Sequence, residues 1–317
     1  MKPILFLTPV FKEMVWGGDR LHAEFGYDIP GDDTGECWGI CAHPNGDAVV
    51  TAEGFTGKTL SQLFRERPEL FGNIGGDRFP LLIKIIDAKA DLSIQVHPND
   101  AYAGSHENGS LGKMECWYVL DCPKDAKLVL GHKAKSQGEV REMIEQGKWE
   151  DFLQYVPVKK GDFIQIDPGT VHAITTGCLL LETQQNSDVT YRVYDYGRLS
   201  NGKPRELHVQ KSIDVILAPA KAPEDMVKHV QNLPKNTLNE LISCQYYTVF
   251  KLDLEGEMTF EQSYPFFNIS VTEGEAALNG TAIKKGDHLI LPADFGNVKL
   301  EGKAEIIASV AGQMKKI

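Results

Sequence analysis

The sequence predicts a mainly β protein, two jelly-roll barrels in series with a few helices packed on the larger one. Three observations lead there. Most of the chain reads as short β-prone runs bounded by Gly, Pro, Asn or Asp. Turn formers are plentiful, with 30 Gly and 16 Pro in 317 residues. One strand-and-turn pattern also occurs twice. At about 150 residues per domain, a chain this long has a prior of two domains and enough interior for a real core.

In chain order, the first predicted strands are 49–51, 79–86, 92–97, 115–120, 126–130, 162–166 and 177–183. Two stretches break the pattern. Residues 59–71 open with Thr59, an N-cap candidate, and 136–155 set Val140, Met143, Ile144, Trp149, Phe152 and Leu153 near helical spacing. A third helix is expected over 206–216. The chain turns polar over 221–234, with Ala218-Pro219, Ala222-Pro223 and Leu233-Pro234 around it. That places a boundary there, with a larger domain over 1–234 and a smaller sheet domain over 235–317. In the second, 249–254, 267–271 and 288–291 alternate as strands do.

The repeated pattern joins Lys159 to Pro168 with Ile283 to Pro292: a turn at Gly-Asp, a strand, then a closing proline. Such pairs are what a cupin-type barrel displays, and its mouth can hold a metal or ligand. His172 stands four residues after Pro168, whereas Gly296 stands four after Pro292. The second copy is therefore expected to keep the fold and lack the metal ligands.

Charge narrows the function. Lys plus Arg total 33 against 44 Asp plus Glu, a formal charge of −11, which argues against broad contact with nucleic acid or an anionic bilayer. An anionic ligand must find a locally positive pocket. No run approaches the roughly 18 apolar residues of a membrane span, and Ile4–Leu7 is too short for a signal peptide. Six cysteines carry no C-x-x-C spacing, so reduced thiols and a cytoplasmic location are expected, with Cys37 and Cys41 as packing residues. The oligomeric state is open.

Chemistry concentrates in a few stretches. Over 92–97, alternation puts Ser93, Gln95 and His97 on one face and Leu92, Ile94 and Val96 on the other. A histidine at a strand end is by itself more often structural than a ligand. Two further stretches change the balance: Lys113 and Glu115 share a face, and His172 follows a tight turn. Two imidazoles, a carboxylate and an amide oxygen form a mixed set suited to zinc. Over 182–192, an unbroken strand would turn Glu182, Gln184, Asn186, Asp188, Thr190 and Arg192 to one side, either as a solvated face or as a pocket wall for hydroxyls and an anion. Lys84 lies among Leu81, Leu82, Ile83, Ile85 and Ile86, where a cation must be paired or functional.

These motifs, taken in order, resemble the type I mannose-6-phosphate isomerases in their compact bacterial form. The match runs from residue 3 to about 215 through Gln95-Val-His97-Pro98-Asn99-Asp100, Lys113-x-Glu115, Pro168-Gly-Thr-Val-His172 and Asn186-Ser-Asp188-x-Thr-x-Arg192. Pro9-Val-Phe-Lys12-x-x-x-Trp16-Gly-Gly and Gly35-Glu36-Cys-Trp38 are also like the family's opening segments, adding Trp16 and Glu36 to the expected substrate contacts. The resemblance implies one Zn2+ per chain held by Gln95, His97, Glu115 and His172, an essential Arg192, and a sugar site lined by Lys113, Asp188 and Glu182. It implies interconversion of mannose 6-phosphate and fructose 6-phosphate through a cis-enediol. Glu182 ranks first as base and Lys113 second. Arg192 and Arg198 are expected at the phosphate, with Lys84 there too or paired with a carboxylate, and Ser93 as a further contact. The compact form lacks the long form's inserted helical domain. The long form often has Lys after the catalytic Arg, where this chain has Arg198. Two other readings stay open from the residues alone: a non-catalytic sugar-phosphate-binding cupin, and an iron-dependent cupin oxygenase.

Overall fold

The computed structural model describes residues 2–200 and 202–312. Within them every strand pairing is antiparallel, and three sheets make the body of the molecule. A seven-stranded sheet runs 227–229, 162–166, 115–121, 179–185, 81–87, 34–40 and 10–18 in spatial order. A five-stranded sheet runs 153–157, 127–132, 172–173, 94–96 and 191–194. The third sheet takes in the strands between 239 and 311 together with Leu5–Thr8 and Val49–Val50 from the start of the chain. Leu5 pairs with Ile290 and Leu7 with Val50, so the N-terminal strand ties the last sheet to the rest.

Period-2 alternation decides what each face buries. Trp117, Val119, Ile164, Ile166 and Leu180 of the seven-stranded sheet meet Leu128 and Leu130 of the five-stranded sheet in one apolar layer. Their strand neighbours Cys116, Tyr118, Phe163, Leu179 and Leu181 face away, into a core shared with Tyr247, Phe266 and Ile307 of the last sheet. That sheet curls round a core of its own, where Phe250, Phe267, Leu289 and Ile306 lie inside while Val249, Phe266, Ile290 and Ile307 point back to the core shared with the seven-stranded sheet. The outer face of the five-stranded sheet is covered by helices, Val140, Ile144 and Ile213 packing on Ile94, Val96 and Val129.

The predicted strands are present, and the helices are shorter than expected. The 59–71 stretch is helix Leu60–Glu66 followed by a 3-10 turn, Pro68–Phe71. Thr59 caps it reciprocally with Gln62, and Pro68 cannot continue the hydrogen-bond ladder. The 136–155 stretch divides into Gln137–Glu145 and Trp149–Phe152 at Gly147, whose φ of 63° breaks the helix. Leu153 already begins a strand, Leu153–Pro157. The third helix is Val209–Val215. Strands Val10–Gly18 and Thr34–Ile40 and helices Arg20–Phe25 and Asp100–His106 were not among the expectations. No helix among the described residues is long and apolar enough to cross a membrane.

Candidate active site

Toward one end of the space between the seven-stranded and five-stranded sheets, the inward residues change from apolar to ionisable. On the seven-stranded sheet Glu115 lies two residues before Trp117, opposite Gln184, and Glu182 lies opposite Lys84. On the five-stranded sheet the inward residues are Gln95, His172 and Arg192, with Gln95 in register with both of the others. Their neighbours Ile94, Val96, Val171, Ala173, Tyr191 and Val193 pack outward. His97 follows directly on strand Ile94–Val96.

His97, Glu115 and His172 converge, with donor atoms all within 4.8 Å of one another and all three residues buried. His172 Nε2 is 3.2 Å from Glu115 Oε1, and His97 Nε2 is 3.4 Å from Oε2. Each ring donates its Nδ1 proton to a backbone carbonyl, His97 to Val189 and His172 to Thr170, both at 2.9 Å. Those bonds leave the Nε2 lone pairs facing the carboxylate, the arrangement that orients imidazoles for a metal. Burial, then the Lys113 ammonium, push His97 well below its ordinary range, so its ring is neutral. Burial alone would raise Glu115, but the Lys113 ammonium foremost outweighs it and holds the carboxyl well below its usual range.

The residues fit a divalent ion. Both Glu115 oxygens are buried and accept no hydrogen bond of sound geometry, although Lys113 Nζ stands 2.8 Å from Oε2. Two lone pairs aimed at an anion repel it unless a cation lies between them. The Gln95 amide is 3.2 Å from His172 Nε2, and with its carbonyl turned inward it would be a fourth donor. Two nitrogens and a carboxylate oxygen suit zinc with an open position.

Beside this centre lies a cleft of about 650 Å³. Of the residues predicted for substrate or catalysis, Lys113, Lys84, Glu36, Asp188 and Arg192 line it. Glu182 is one layer behind, its Oε2 accepting 2.8 Å from Trp117 Nε1 and its Oε1 lying 3.3 Å from Lys84 and 3.7 Å from Lys113. Burial, then Glu115, push the Glu182 carboxyl up, and the two lysines only partly offset that. Lys84 bridges Glu182 and Glu36, 3.2 Å from the latter's Oε1, while Trp38 Nε1 donates to Oε2 at 2.6 Å.

Three predicted contacts are placed elsewhere. Trp16 packs in the apolar layer between the sheets, and Ser93 is buried outside the cleft lining. Arg198 is bound by Asp195 at 2.5 Å, over the Tyr196 ring. Nor do 182–192 form one strand. Leu179–Gln185 belongs to one sheet and Tyr191–Tyr194 to the other, so Gln184 and Arg192 stand on opposite walls. Asn186, in the crossover, donates to the carbonyls of Ala42 and Phe79. Lys12, Trp38, Asn45 and His208 line the cleft unforeseen. Alternation of Lys12, Met14 and Trp16 was the readable signal for the first; loop residues Asn45 and His208 carry none.

Residues 4–118 match the family model described as phosphomannose isomerase type I, catalytic domain, and 237–311 match that of the mannose-6-phosphate isomerase cupin domain. The mannose-6-phosphate isomerase ManA of Bacillus subtilis (strain 168) is 52% identical over 310 residues, covering 96% of this chain and 98% of that one. The chain belongs to the type I phosphomannose isomerase family. A mannose-6-phosphate isomerase of Streptococcus mutans is 46% identical over 312 residues, covering 96% of this chain and 97% of its own. The crystal structure of a Bacillus subtilis mannose 6-phosphate isomerase superposes with a TM-score of 0.92 at 45% identity, over 98% of this chain and all 100% of that one. A zinc-bound mannose 6-phosphate isomerase shares the fold, with a TM-score of 0.76 at 17% identity over 98% of this chain and 99% of that one. The same fold in this phosphomannose isomerase family member brings His97, Glu115 and His172 together beside the cleft.

Proposed function

We propose that this protein is a zinc-dependent aldose–ketose isomerase that interconverts mannose 6-phosphate and fructose 6-phosphate through a cis-enediol. The observation that carries the proposal is the convergence of His97, Glu115 and His172 beside a cleft lined by Lys113 and Arg192, in a chain of this family. Gln95 is the fourth donor in the proposed set. Zinc, when bound, supplies Lewis-acid polarisation of the substrate oxygens, a help of several kcal/mol in such reactions.

Isomerisation moves a proton between C1 and C2 of the open-chain sugar. Lys113 lines the cleft and Glu182 does not, so Lys113 is the proposed proton carrier at the carbon atoms. Glu182, 3.7 Å behind it, is placed to exchange that proton, its carboxyl pushed up by burial and then by Glu115. Asp188 and Glu36 face the cleft as acceptors for sugar hydroxyls, and Arg192 faces it as a donor to the phosphate. Residues 1–234 form the proposed catalytic unit. The described part of residues 235–317 buttresses it through the shared core, in which Tyr247, Phe266 and Ile307 meet Tyr118 and Leu181. Cytoplasmic residence is supported by the six unpaired cysteines, four of them buried.

The test is a coupled assay with mannose 6-phosphate, with and without chelator, alongside metal analysis of the purified protein. The expected result is turnover lost on chelation and restored by zinc. Oxygen consumption with bound iron, or turnover of a different phosphosugar only, would overturn the assignment.

A further inference from the structure

The cations around the cleft divide by their partners. Lys84 stands between two carboxylates, 3.2 Å from Glu36 and 3.3 Å from Glu182, and Lys113 is 2.8 Å from Glu115. Arg198 and Arg205 both grip the buried Asp195, at 2.5 and 2.6 Å. Lys84 and Lys113 thus have no charge left over for a ligand, and Arg198 and Arg205, which share one carboxylate, do not line the cleft.

Lys12 and Arg192 differ. Among the described residues neither has a carboxylate within ion-pair distance. The Lys12 ammonium donates to the Asn45 carbonyl and lies 4.9 Å from the centre of the Trp38 ring. Arg192 donates from Nη1 to the Glu206 carbonyl at 3.3 Å, and its Nε is buried with no hydrogen-bond partner. Both line the same cleft from opposite walls, Lys12 on strand Val10–Gly18 and Arg192 on strand Tyr191–Tyr194, which are edge strands of the two sheets. The cleft's other ionisable side chains each have a partner within the protein. His208 Nδ1 accepts from the Arg192 amide at 3.2 Å, and Asp188 accepts from Asn45 and lies 3.5 Å from His43. In a protein of net charge −11, two uncompensated cations facing one cavity mark a site for a compact dianion.

We propose that Lys12 is the phosphate-discriminating residue of this protein, closing on a phosphomonoester from across the cleft to Arg192. The inference rests on the phosphosugar reading above and adds to it a role for Lys12, which stands in the opening motif without an expected function. The guanidinium offers a planar fork to two phosphate oxygens, and the ammonium offers a compact charge on a flexible stem. The Trp38 ring holds that stem over the cleft through a cation–π contact. Substrate entry exchanges the Asn45 carbonyl for a phosphate oxygen at Lys12 Nζ, so the charge is satisfied in both states.

The test uses Lys12→Met, Lys12→Arg and, as a surface control in the last sheet, Lys299→Met. Steady-state kinetics with mannose 6-phosphate give KM and kcat, and calorimetric titration with inorganic phosphate gives an affinity independent of turnover. Losing one charge-assisted hydrogen bond predicts that Lys12→Met raises KM and weakens phosphate binding, each by about 10- to 100-fold. kcat stays within roughly threefold, because the contact is made equally in ground and transition states. Zinc content is that of the parent, and Lys12→Arg recovers most of the loss. Phosphate affinity and KM within about twofold of the parent in Lys12→Met, or a fall in kcat at constant KM, would overturn the proposal. If the parent protein fails to turn over mannose 6-phosphate, the isomerase reading fails by itself, and the phosphate titration still decides the role of Lys12.

Discussion

Replacing Lys84 by methionine separates two roles that its sequence context left open, phosphate ligand and buried counter-ion. Its Nζ lies 3.2 Å from Glu36 and 3.3 Å from Glu182, and all three residues are buried. Each contact is a gross attraction of about 5 kcal/mol at an effective dielectric of about 20, from which the cost of burying the ammonium is subtracted. Breaking such a buried set leaves Glu36 without its cation and Glu182 with only the more distant Lys113, for a net loss of about 3–5 kcal/mol at neutral pH. The sign with pH follows. In the parent, burial pushes Glu36 up, but Lys84 and the Trp38 indole hold it below its ordinary 4.5. Glu36 therefore stabilises the fold above that value and loses its contribution as pH falls through the depressed one. Without Lys84, burial raises both carboxyls, and each favours the fold only while protonated. The deficit of Lys84→Met should thus be full at neutral pH and shrink as pH falls through the carboxylate range. Urea unfolding of parent and variant at a series of pH values measures it. A variant within about 0.5 kcal/mol of the parent at neutral pH, but with a raised KM for the phosphosugar, would refute the counter-ion reasoning and return Lys84 to the phosphate.

Three further outcomes are expected. Glu115→Gln keeps the volume and removes the anionic ligand, so zinc affinity by competition with a chelator should fall at least about 100-fold and activity with it. Asp195→Asn frees Arg198 and Arg205 from their shared anchor and loosens the loop whose Glu206 carbonyl and His208 ring hold Arg192. kcat/KM should drop by about 10- to 100-fold without a change in zinc content. His288 is buried against Gly39, and burial lowers its pKa from 6.5 to about 4. Its contribution is present above the unfolded value of 6.5 and lost as pH falls to about 4, so stability should change over that window by about 3 kcal/mol. His288→Gln should flatten that part of the stability profile, which pH-dependent urea unfolding reads directly.

Much of the site was legible because strand alternation is a local property. Gln95 facing inward between Ile94 and Val96, and Glu115 sharing a face with Lys113, follow from period 2 alone. The ligand set could be assembled before the fold was known because Pro168-Gly-Thr-Val-His172 and Gln95-Val-His97 are compact motifs. What failed was long-range. The polar residues from 182 to 192 looked like one face, but the chain changes sheet at 186–190, and that crossover is set by tertiary pairing. Asp195, three residues before Arg198, was a local partner within reach of the sequence, whereas Arg205 joins them only when the loop folds back. Lys84 was recognised as an anomaly among apolar residues, although nothing local identified Glu36, 48 positions away, as its partner. Pro68 and Gly147 marked helix breaks that the broader spacing of apolar residues obscured.

The proposed function requires one ion held by residues from both the seven-stranded and the five-stranded sheet, and X-ray absorption at the zinc edge of the active, purified protein tests it most directly. The expected spectrum is that of about one zinc per chain with only nitrogen and oxygen neighbours, two of them imidazoles, at about 2.0–2.2 Å. Sulfur in the first coordination shell, or full turnover in protein that shows no zinc edge and no other bound metal, would contradict it.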